Sequence, residues 1–339
     1  MRNIDEILVG STPHLPVTSQ EESKLVGLAP ETRSAVKIVT LGTGGAIPTP
    51  ARSLPATALQ REAEIFLFDC GEGTQLQFLK ADLSPGKLRA VFISHLHGDH
   101  ILGLPGLLMT LAHLSRKAPL SLFGPPGVSD YIRLTCRCLQ FSPGYELIVK
   151  ESSGGRVYSG PDYWIDAVPL DHTVFTLAYV FEEKERPGRF LLERARQLGV
   201  PEGPLYGRLQ TGTDVTLSNG RVIRATEVLG KPRRGRKVVY AVDTRPCQQV
   251  KEISTGADLL IHDGMFSDQL REEARLKGHS TAVQAAEVAQ NAKVERLLLT
   301  HISPRYRNQD ALLQKEAMTI FPHTTVAKDL MQFKIQVHK

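Results

Sequence analysis

The chain has 339 residues, of which 41% are hydrophobic and 23% are charged, and its formal net charge is +5. This composition is typical of a globular protein and excludes a disordered chain, while four cysteines in so long a chain exclude a disulfide scaffold. The longest uncharged stretch, 101–115, is shorter than the roughly 18 apolar residues of a membrane span and is broken by glycine and proline. We therefore expect a cytoplasmic protein with reduced thiols and no membrane segment.

Residues 1–35 have no clear structural pattern, because Pro13, Pro16 and Pro30 are mixed with serine, threonine and glutamate. The apolar run at 7–9 is too short for the core of a secretory signal. We predict a flexible N-terminal extension.

From residue 36 to the end of the chain, short β-branched and apolar runs alternate with helical patterns. The predicted strands are 36–41, 65–68, 89–93, 164–170, 176–181, 238–242, 259–262 and 297–300. The predicted helices are 73–80, 128–139, 269–277, 282–292 and 310–321. This mixture predicts one layered α/β domain over 36–339.

An insertion at about 182–237 interrupts the domain with closely spaced glycine and proline residues, which indicate loops and hairpins rather than core. We predict one short helix at 190–198 and a hairpin at 215–224 around Asn219-Gly220. The insertion ends in a basic run, 231–237. Such a run forms either a solvated loop or a phosphate-contacting patch, and charge alone favours the solvated loop.

The segment His95-Leu-His97-Gly-Asp99-His100 follows a predicted strand directly. Crowding three imidazoles and a carboxylate at one strand end costs free energy unless they bind something, and these ligands suit zinc and related divalent metals. His95 and His97 point the same way in extended backbone. Because the chain can turn at Gly98, Asp99 and His100 can face a second position, so one segment can supply two adjacent metals.

Three further candidate ligands stand at the ends of other predicted strands, namely His172, Asp243 and His301. Each alone would be an ordinary polar residue at a strand end. Together with the histidine-rich segment, they predict a dinuclear metal site at one edge of a sheet. The turn at 42–45 lacks the spacing of a nucleotide-binding loop, so we predict a tight turn beside this site.

The H-x-H-x-D-H pattern resembles the signature of the metallo-β-lactamase superfamily, and the flanking segments resemble the ribonuclease Z family, which trims the 3′ trailer of precursor tRNA. The segments that carry the resemblance are 41–52, 68–75, 95–108, 240–245, 279–281 and 300–306. The segment 187–205 is similar to that family's flexible arm. The resemblance covers nearly the whole predicted domain, 36–339, and implies a four-layer αββα metallo-β-lactamase fold with an inserted arm.

The resemblance also implies two zinc ions per subunit. One zinc would be held by His95, His97 and His172, the other by Asp99, His100 and His301, and Asp243 would bridge them.

It further implies catalytic roles for three residues. Asp99 would orient or deprotonate the attacking water, and His279 would give a proton to the leaving oxygen. Asp263 stands where the family often has a glutamate that supports this histidine, in His262-Asp-Gly-Met265. Because aspartate is one methylene shorter, we expect a longer or water-mediated contact. The expected substrate contacts are Arg305 at the scissile phosphate, with Arg52, Lys231, Arg233 and Arg234.

The implied function is zinc-dependent endoribonuclease action, in which a metal-bound hydroxide cleaves precursor tRNA and leaves a 3′-hydroxyl on the tRNA and a 5′-phosphomonoester on the trailer. The resemblance suggests a homodimer in which the arm of one subunit grips the tRNA for the site of the other. Two alternatives are a superfamily hydrolase of small phosphodiesters or other esters and an inactive RNA-binding homologue. The arm with its basic run argues against the former, and the intact ligand set argues against the latter.

Overall fold

A computed structural model describes residues 35–338 and contains two seven-stranded sheets. The first sheet has, in spatial order, the strands β16 (Gln332–Ile335), β1 (Val36–Gly42), β2 (Ala56–Arg61), β3 (Glu64–Phe68), β4 (Leu88–Phe92), β5 (Leu120–Gly124) and β6 (Leu147–Glu151). Neighbours from β3 to β6 run parallel, and those from β16 to β3 run antiparallel.

The second sheet has the spatial order β15 (Thr324–Val326), β14 (Leu297–Thr300), β13 (Leu259–Asp263), β12 (Lys237–Ala241), β9 (Thr176–Glu183), β8 (Tyr163–Leu170) and β7 (Gly155–Ser159). The strands β12 to β15 run parallel to one another. Their carboxyl ends therefore lie along one edge of this sheet.

The two sheets face each other across an aromatic core. Side chains alternate along β3, so that Phe66 and Phe68 enter this core while Ile65 and Leu67 pack on the opposite face. Phe68 of the first sheet stacks on Tyr240 of the second, with ring centroids 5.4 Å apart. Both faces of β3 are buried, which explains its continuous apolar sequence.

Helices cover the outer faces of both sheets. The helices of the first sheet are α1 (Thr74–Lys80), α2 (Gly98–Ile101), α3 (Leu104–His113) and α4 (Val128–Cys138), and those of the second are α7 (Gln248–Ser254), α9 (Ala282–Asn291) and α10 (Asp310–Met318). The helix α8 (Arg271–Lys277) instead packs through Ala274 in a separate small cluster with Met265 and Phe266. Single turns of 3-10 helix occur at Pro85–Lys87, Ala225–Glu227, Asp268–Leu270 and Pro304–Tyr306. The order helix, sheet, sheet, helix confirms the predicted αββα fold.

The insertion, 183–236, forms a compact unit of its own. It contains α5 (Leu192–Gln197), α6 (Pro204–Gln210) and the hairpin β10 (Val215–Thr216) with β11 (Val222–Ile223), and the predicted hairpin and first helix are thereby confirmed. The expectation of loops without core is wrong, because Ala195, Leu209 and Ile223 are fully buried in a separate apolar cluster. Pro204 lies in the first turn of α6, where a missing N–H costs nothing.

Part of the basic run is structural. Arg236 is 1% exposed and its guanidinium pairs with Glu183 at 2.7 and 2.8 Å. The predicted extension at 1–35 lies, up to residue 34, outside the described residues. Within 35–338 no helix is both long enough and apolar enough to cross a membrane.

Candidate metal centre

Seven histidine and aspartate side chains from both sheets meet at one edge of the sandwich. His95 follows β4 of the first sheet, while His172, Asp243 and His301 follow β8, β12 and β14 of the second. The ligand atoms form two neighbouring groups, each within 4.8 Å, which are His95, His97, His172 and Asp243, and Asp99, His100 and His301. The structure thus brings together every residue that the sequence predicts as a ligand.

The carboxylate of Asp243 lies between the two groups. Its Oδ2 is 3.5 Å from Nε2 of His95 and 3.7 Å from Nε2 of His172. Its Oδ1 is 3.4 Å from Nε2 of His100 and 3.3 Å from Nε2 of His301. Each oxygen therefore faces a different histidine set, as a bridging ligand requires.

The donor atoms suit a pair of divalent cations. Among the described residues, Nε2 of His172 and Oδ1 of Asp243 are buried without a hydrogen-bond partner, although an unsatisfied buried polar atom costs about 1–3 kcal/mol. Nε2 of His100 points at Nε2 of His301 across 3.3 Å. Imidazole nitrogens and carboxylate oxygens turned toward one another are the ligand set that zinc takes in catalytic sites.

Hydrogen bonds behind the histidines fix which ring nitrogen faces the cluster. Nδ1 of His172 donates to the Gly278 carbonyl at 2.7 Å, and Nδ1 of His100 donates to Oδ2 of Asp69, also at 2.7 Å. Asp69 in turn accepts from the Ser94 N–H at 2.7 Å and from the Tyr240 hydroxyl at 2.9 Å. Both rings therefore use Nδ1 as a donor and turn Nε2 toward the site, an arrangement that is typical of metal-binding histidines.

The backbone is strained where the chain turns back from three strands. Asp69, Asp243 and His301 have φ angles of 57°, 51° and 59°, in the left-handed region. Each such residue costs on the order of 1–3 kcal/mol, and such strain clusters at functional sites. The Asp69 side chain contacts His100, and those of Asp243 and His301 contact each other.

The predicted glycine turn packs directly against the site. A Cβ on Gly45 would lie 2.6–2.8 Å from three atoms of the His301 ring, so only glycine fits there. The Gly45 N–H donates to the Ile302 carbonyl at 3.1 Å, and the next N–H, of Ala46, donates to Oδ2 of Asp99 at 2.8 Å. The prediction of a tight turn beside the site is confirmed.

Burial and neighbouring charges set the protonation of the ligands. Burial, followed by the neighbouring His100 and His172, lowers the pKa of His95 well below its usual value. Burial also lowers the pKa of His100, but Asp243, Asp69 and Asp99 outweigh it and raise that pKa to about 10. Burial raises the pKa of Asp99, yet the His301 hydrogen bond and the charge of His100 hold it far below the usual range.

His279 and Asp263 form a direct pair beside the metal ligands. Nδ1 of His279 lies 2.8 Å from Oδ2 of Asp263, and the His279 ring stacks on that of His301 with centroids 5.2 Å apart. The expected longer or water-mediated contact is wrong. Asp263 ends β13, and the Ser280 N–H also reaches Oδ2 at 3.3 Å, so the backbone of 279–280 comes close enough for the shorter side chain.

Two neighbouring turns fix the position of His279. Gly278 ends α8 in the left-handed region, with a φ of 80°, and the side chains of Thr281 and Gln284 cap the start of α9. Burial lowers the pKa of His279, but Asp263 and Asp243 outweigh it and raise that pKa to about 9. These two carboxylates therefore favour the protonated form of the imidazole.

The predicted substrate contacts have different surroundings. Arg52 is buried and its guanidinium bonds to Thr43, the Ala327 carbonyl and Asp310, so we assign it a structural role instead of a substrate contact. Arg305 is exposed and pairs with Glu273. The other three, Lys231, Arg233 and Arg234, lie in the inserted unit.

The sequence patterns missed the residues that support the ligands, namely Asp69, Ser94, Tyr240 and the Gly278 carbonyl. A signal for Asp69 was present, because it follows a predicted strand as Asp243 does. The role of Tyr240 depends on the packing of one sheet on the other, which the sequence does not reveal.

Family models match two parts of the chain. One described as Anti-Pycsar protein Apyc1 matches residues 36–136, and one described as a beta-lactamase superfamily domain matches 210–302. Ribonuclease Z of Methanothermobacter thermautotrophicus is 44% identical over 303 residues, which cover 89% of this chain and 98% of that protein. Ribonuclease Z of Haloferax volcanii is 42% identical over 89% of this chain and 95% of its own length.

The crystal structure of human tRNase Z, short form, superimposes with a TM-score of 0.64 at 27% identity, over 89% of this chain and 100% of that one. The metallo-β-lactamase fold protein YhfI from Bacillus subtilis gives a TM-score of 0.63 at 20% identity, over 89% of this chain and 100% of its own, and shows the fold alone.

The double sheet between helices, with histidines and aspartates gathered at one edge, makes this a metallo-β-lactamase-fold enzyme. The sequence identity to the relatives also identifies the family. It extends over nearly their whole length, and both of these relatives are named ribonuclease Z. The chain belongs to the ribonuclease Z family. The predicted family and enzyme class, a metal-dependent endoribonuclease, are confirmed.

Proposed function

We propose that the protein is a zinc-dependent endoribonuclease that removes the 3′ trailer of precursor tRNA and leaves a 3′-hydroxyl on the tRNA and a 5′-phosphomonoester on the trailer. The observation that carries the proposal is the Asp243 carboxylate, whose two oxygens face two separate histidine sets. The names of the relatives, ribonuclease Z and tRNase Z, supply the substrate.

Each proposed metal position has its own ligands, with Asp243 shared between them. The first set is His95, His97 and His172, and the second is Asp99, His100 and His301. A bound metal pair would act as a Lewis acid on the phosphate and bring the pKa of a bound water toward neutrality. The buried, unpaired His172 Nε2 and Asp243 Oδ1 support this assignment.

Asp99 is the proposed partner of the attacking water. Oδ2 of Asp99 accepts the Ala46 N–H at 2.8 Å and lies 3.3 Å from Nε2 of His301. These contacts fix the carboxylate, and its low pKa keeps it charged at neutral pH. A carboxylate of such low basicity is better suited to orienting the water by a hydrogen bond than to retaining its proton.

His279 is the proposed acid for the leaving 3′ oxygen. Its raised pKa means that the ring carries a proton at neutral pH, and Asp263 fixes its orientation through Nδ1. Nε2–H is then free to donate to the oxygen that departs from phosphorus. General acid catalysis of this kind contributes typically 10²- to 10⁴-fold to the rate.

The inserted unit and the exposed Arg305 would bind the RNA backbone. We assign Arg305 to the phosphate nearest the metals, and Lys231, Arg233 and Arg234 to phosphates of the tRNA body. In this proposal the protein is a cytoplasmic homodimer in which the arm of one subunit grips the tRNA for the site of its partner.

The test is an assay of the purified protein on a precursor tRNA that carries a 3′ trailer, with and without a chelator. Chelator-sensitive cleavage near the discriminator base, with zinc in the same preparation, is the expected result. RNA binding without cleavage would support an inactive homologue. Turnover of a small phosphodiester without tRNA binding would support a small-ester hydrolase.

A further inference from the structure

The carboxylate of Glu273, on α8, joins two cationic side chains. Its Oε2 accepts from Nη1 of Arg305 at 3.0 Å, and its Oε1 accepts from Nη2 of Arg305 at 2.9 Å and from Nζ of Lys277 at 2.8 Å. The Glu273 carboxylate thus accepts hydrogen bonds from both Nη groups of one guanidinium and from one ammonium group.

This arrangement lies beside the catalytic groups. The guanidinium carbon of Arg305 is 5.0 Å from the centre of the Phe266 ring, and Nζ of Lys277 is 5.8 Å from the same centre. On the catalytic side, the Phe266 and His279 rings have centroids 6.1 Å apart. The two cations are therefore separated from the proposed proton donor by a single aromatic ring.

The contacts made by Glu273 are those that a phosphate group can make. An arginine fork binds two oxygens of a carboxylate or of a phosphate in the same bidentate geometry, and a lysine adds a point charge. Hydrogen bonds from Arg305 and Lys277 lower the pKa of Glu273 to about 2, so the carboxylate is an anion at neutral pH. All three side chains are at least 32% exposed, and exposed ion pairs contribute little, so an incoming anion can displace this one.

We infer that Arg305 and Lys277 form a subsite for one phosphate of the RNA backbone, and that Glu273 fills this subsite in the free protein as an internal competitor. The inference rests on the proposed function, because it takes RNA as the ligand. It adds Lys277 as a second cation and gives Glu273 an inhibitory role, because its carboxylate occupies the donors of both cations in the free protein.

Glu272 provides a matched control on the same helix. Its side chain is 70% exposed, against 32% for Glu273, and it pairs with Arg275, at 3.0 Å, instead of Arg305. Glu272→Gln and Glu273→Gln therefore remove the same charge from neighbouring positions, and only Glu273→Gln frees the proposed subsite.

The experiment measures the affinity of the metal-loaded protein for a fluorescent precursor tRNA whose scissile 3′ oxygen is replaced by a methylene group. At low salt, Glu273→Gln should bind about two- to fivefold more tightly than Glu272→Gln, a range that corresponds to a weak exposed ion pair. Lys277→Gln should bind more weakly than the wild type. In an Arg305→Gln, Lys277→Gln double-variant background, Glu273→Gln and Glu272→Gln should bind equally.

Two results would overturn the inference alone while wild-type cleavage of the natural precursor continues. One is equal affinity of the two glutamine variants in the wild-type background. The other is weaker binding by Glu273→Gln, which would mean that Glu273 positions Arg305 for the substrate. Failure of the wild type to bind or cleave precursor tRNA would instead overturn the proposed function, and this inference with it. Thermal melting of each variant identifies any loss of folding.

Discussion

Nδ1 of His100 lies 2.7 Å from Oδ2 of Asp69, and both side chains are fully buried. Asp69 also accepts hydrogen bonds from the Tyr240 hydroxyl and the Ser94 N–H. Its carboxylate oxygens therefore act only as hydrogen-bond acceptors toward His100. The imidazole therefore keeps its proton on Nδ1 and directs Nε2 toward Asp243. A residue that touches no proposed metal position thus selects the tautomer of one that does.

Replacing Asp69 with asparagine should weaken metal binding about 10- to 100-fold, the usual effect of losing a partner behind a metal ligand. The asparagine amide would donate toward Nδ1 of His100 and favour the tautomer with its proton on Nε2. Competition with a chelator measures the change in zinc affinity. The control is Asp166→Asn, which alters an exposed pair with Arg156. Unchanged zinc affinity in a folded Asp69→Asn protein would show that the carboxylate does not set the tautomer.

Replacing Gly45 with alanine should lower kcat/KM about a hundredfold, since a small misplacement of a catalytic group can have this effect. The new methyl group would lie 2.6–2.8 Å from the His301 ring and would push it away. Gly144→Ala is the control, because a Cβ there meets no heavy atom of residues 35–338 within 4 Å. Cleavage kinetics and metal content are measured on both. A fully active Gly45→Ala protein would mean that the turn can move without disturbing His301.

The ligands could be predicted from the sequence because each stands directly after an apolar strand. Parallel strands β12 to β14 bring their carboxyl ends to one edge, so Asp243 and His301, which follow β12 and β14, lie at the same edge of the sheet. The spacing of the histidines at 95–100 was by itself enough to predict them as ligands. Local pattern and the rule of parallel sheets were sufficient for these residues.

Other features depend on contacts between distant parts of the chain. Strand β2, Ala56–Arg61, lacks a strong apolar pattern and is held as a strand by neighbours on both sides. Arg52 resembles a surface cation in sequence, yet Thr43, Ala327 and Asp310 surround it in the fold. The direct Asp263–His279 contact depends on how closely two loops approach, which side-chain length alone does not predict.

Removing the inserted unit should separate tRNA recognition from chemistry. Gly188 lies against the Gly230 carbonyl, so a short glycine–serine linker can replace residues 187–230 without stretching the chain. KM for precursor tRNA should rise at least about tenfold, because the deletion removes the arginines of 187–230 that can contact phosphates, although Lys231, Arg233 and Arg234 remain. The rate on methyl p-nitrophenyl phosphate should stay the same and serves as the internal control. Equal losses on both substrates would show that the insertion supports the metal centre rather than the RNA.

Acid should remove the metals and the activity together. Histidine must be neutral to bind a metal, so protonation competes with zinc as the pH falls. The Asp243, Asp69 and Asp99 carboxylates raise the pKa of His100 above its usual value, and this histidine should therefore be the first ligand to be protonated when metal is withdrawn. Zinc content and cleavage rate are followed over the same pH range. A rate that stays constant down to about pH 4 would contradict a histidine-bound metal.

Replacing Asp263 with asparagine should shift the alkaline limit of activity to lower pH. Asp263 and Asp243 raise the pKa of His279 to about 9 against the effect of burial, and the proton-donating form is lost as the pH rises through that pKa. Removing the Asp263 charge lowers the pKa, so the donor is lost at a less alkaline pH. The rate at neutral pH should fall by up to about 10²- to 10⁴-fold, the range for loss of a general acid.

The pH–rate profile of zinc-loaded Asp263→Asn is compared with that of Asp263→Glu, which keeps the charge and lengthens the side chain by one methylene group. The glutamate variant should retain the alkaline limit of the wild type even if its longer side chain lowers the rate. His279→Asn should lose the alkaline limit altogether. If all three proteins showed the wild-type limit, the proton lost at high pH would belong to another group, and His279 would not be the acid.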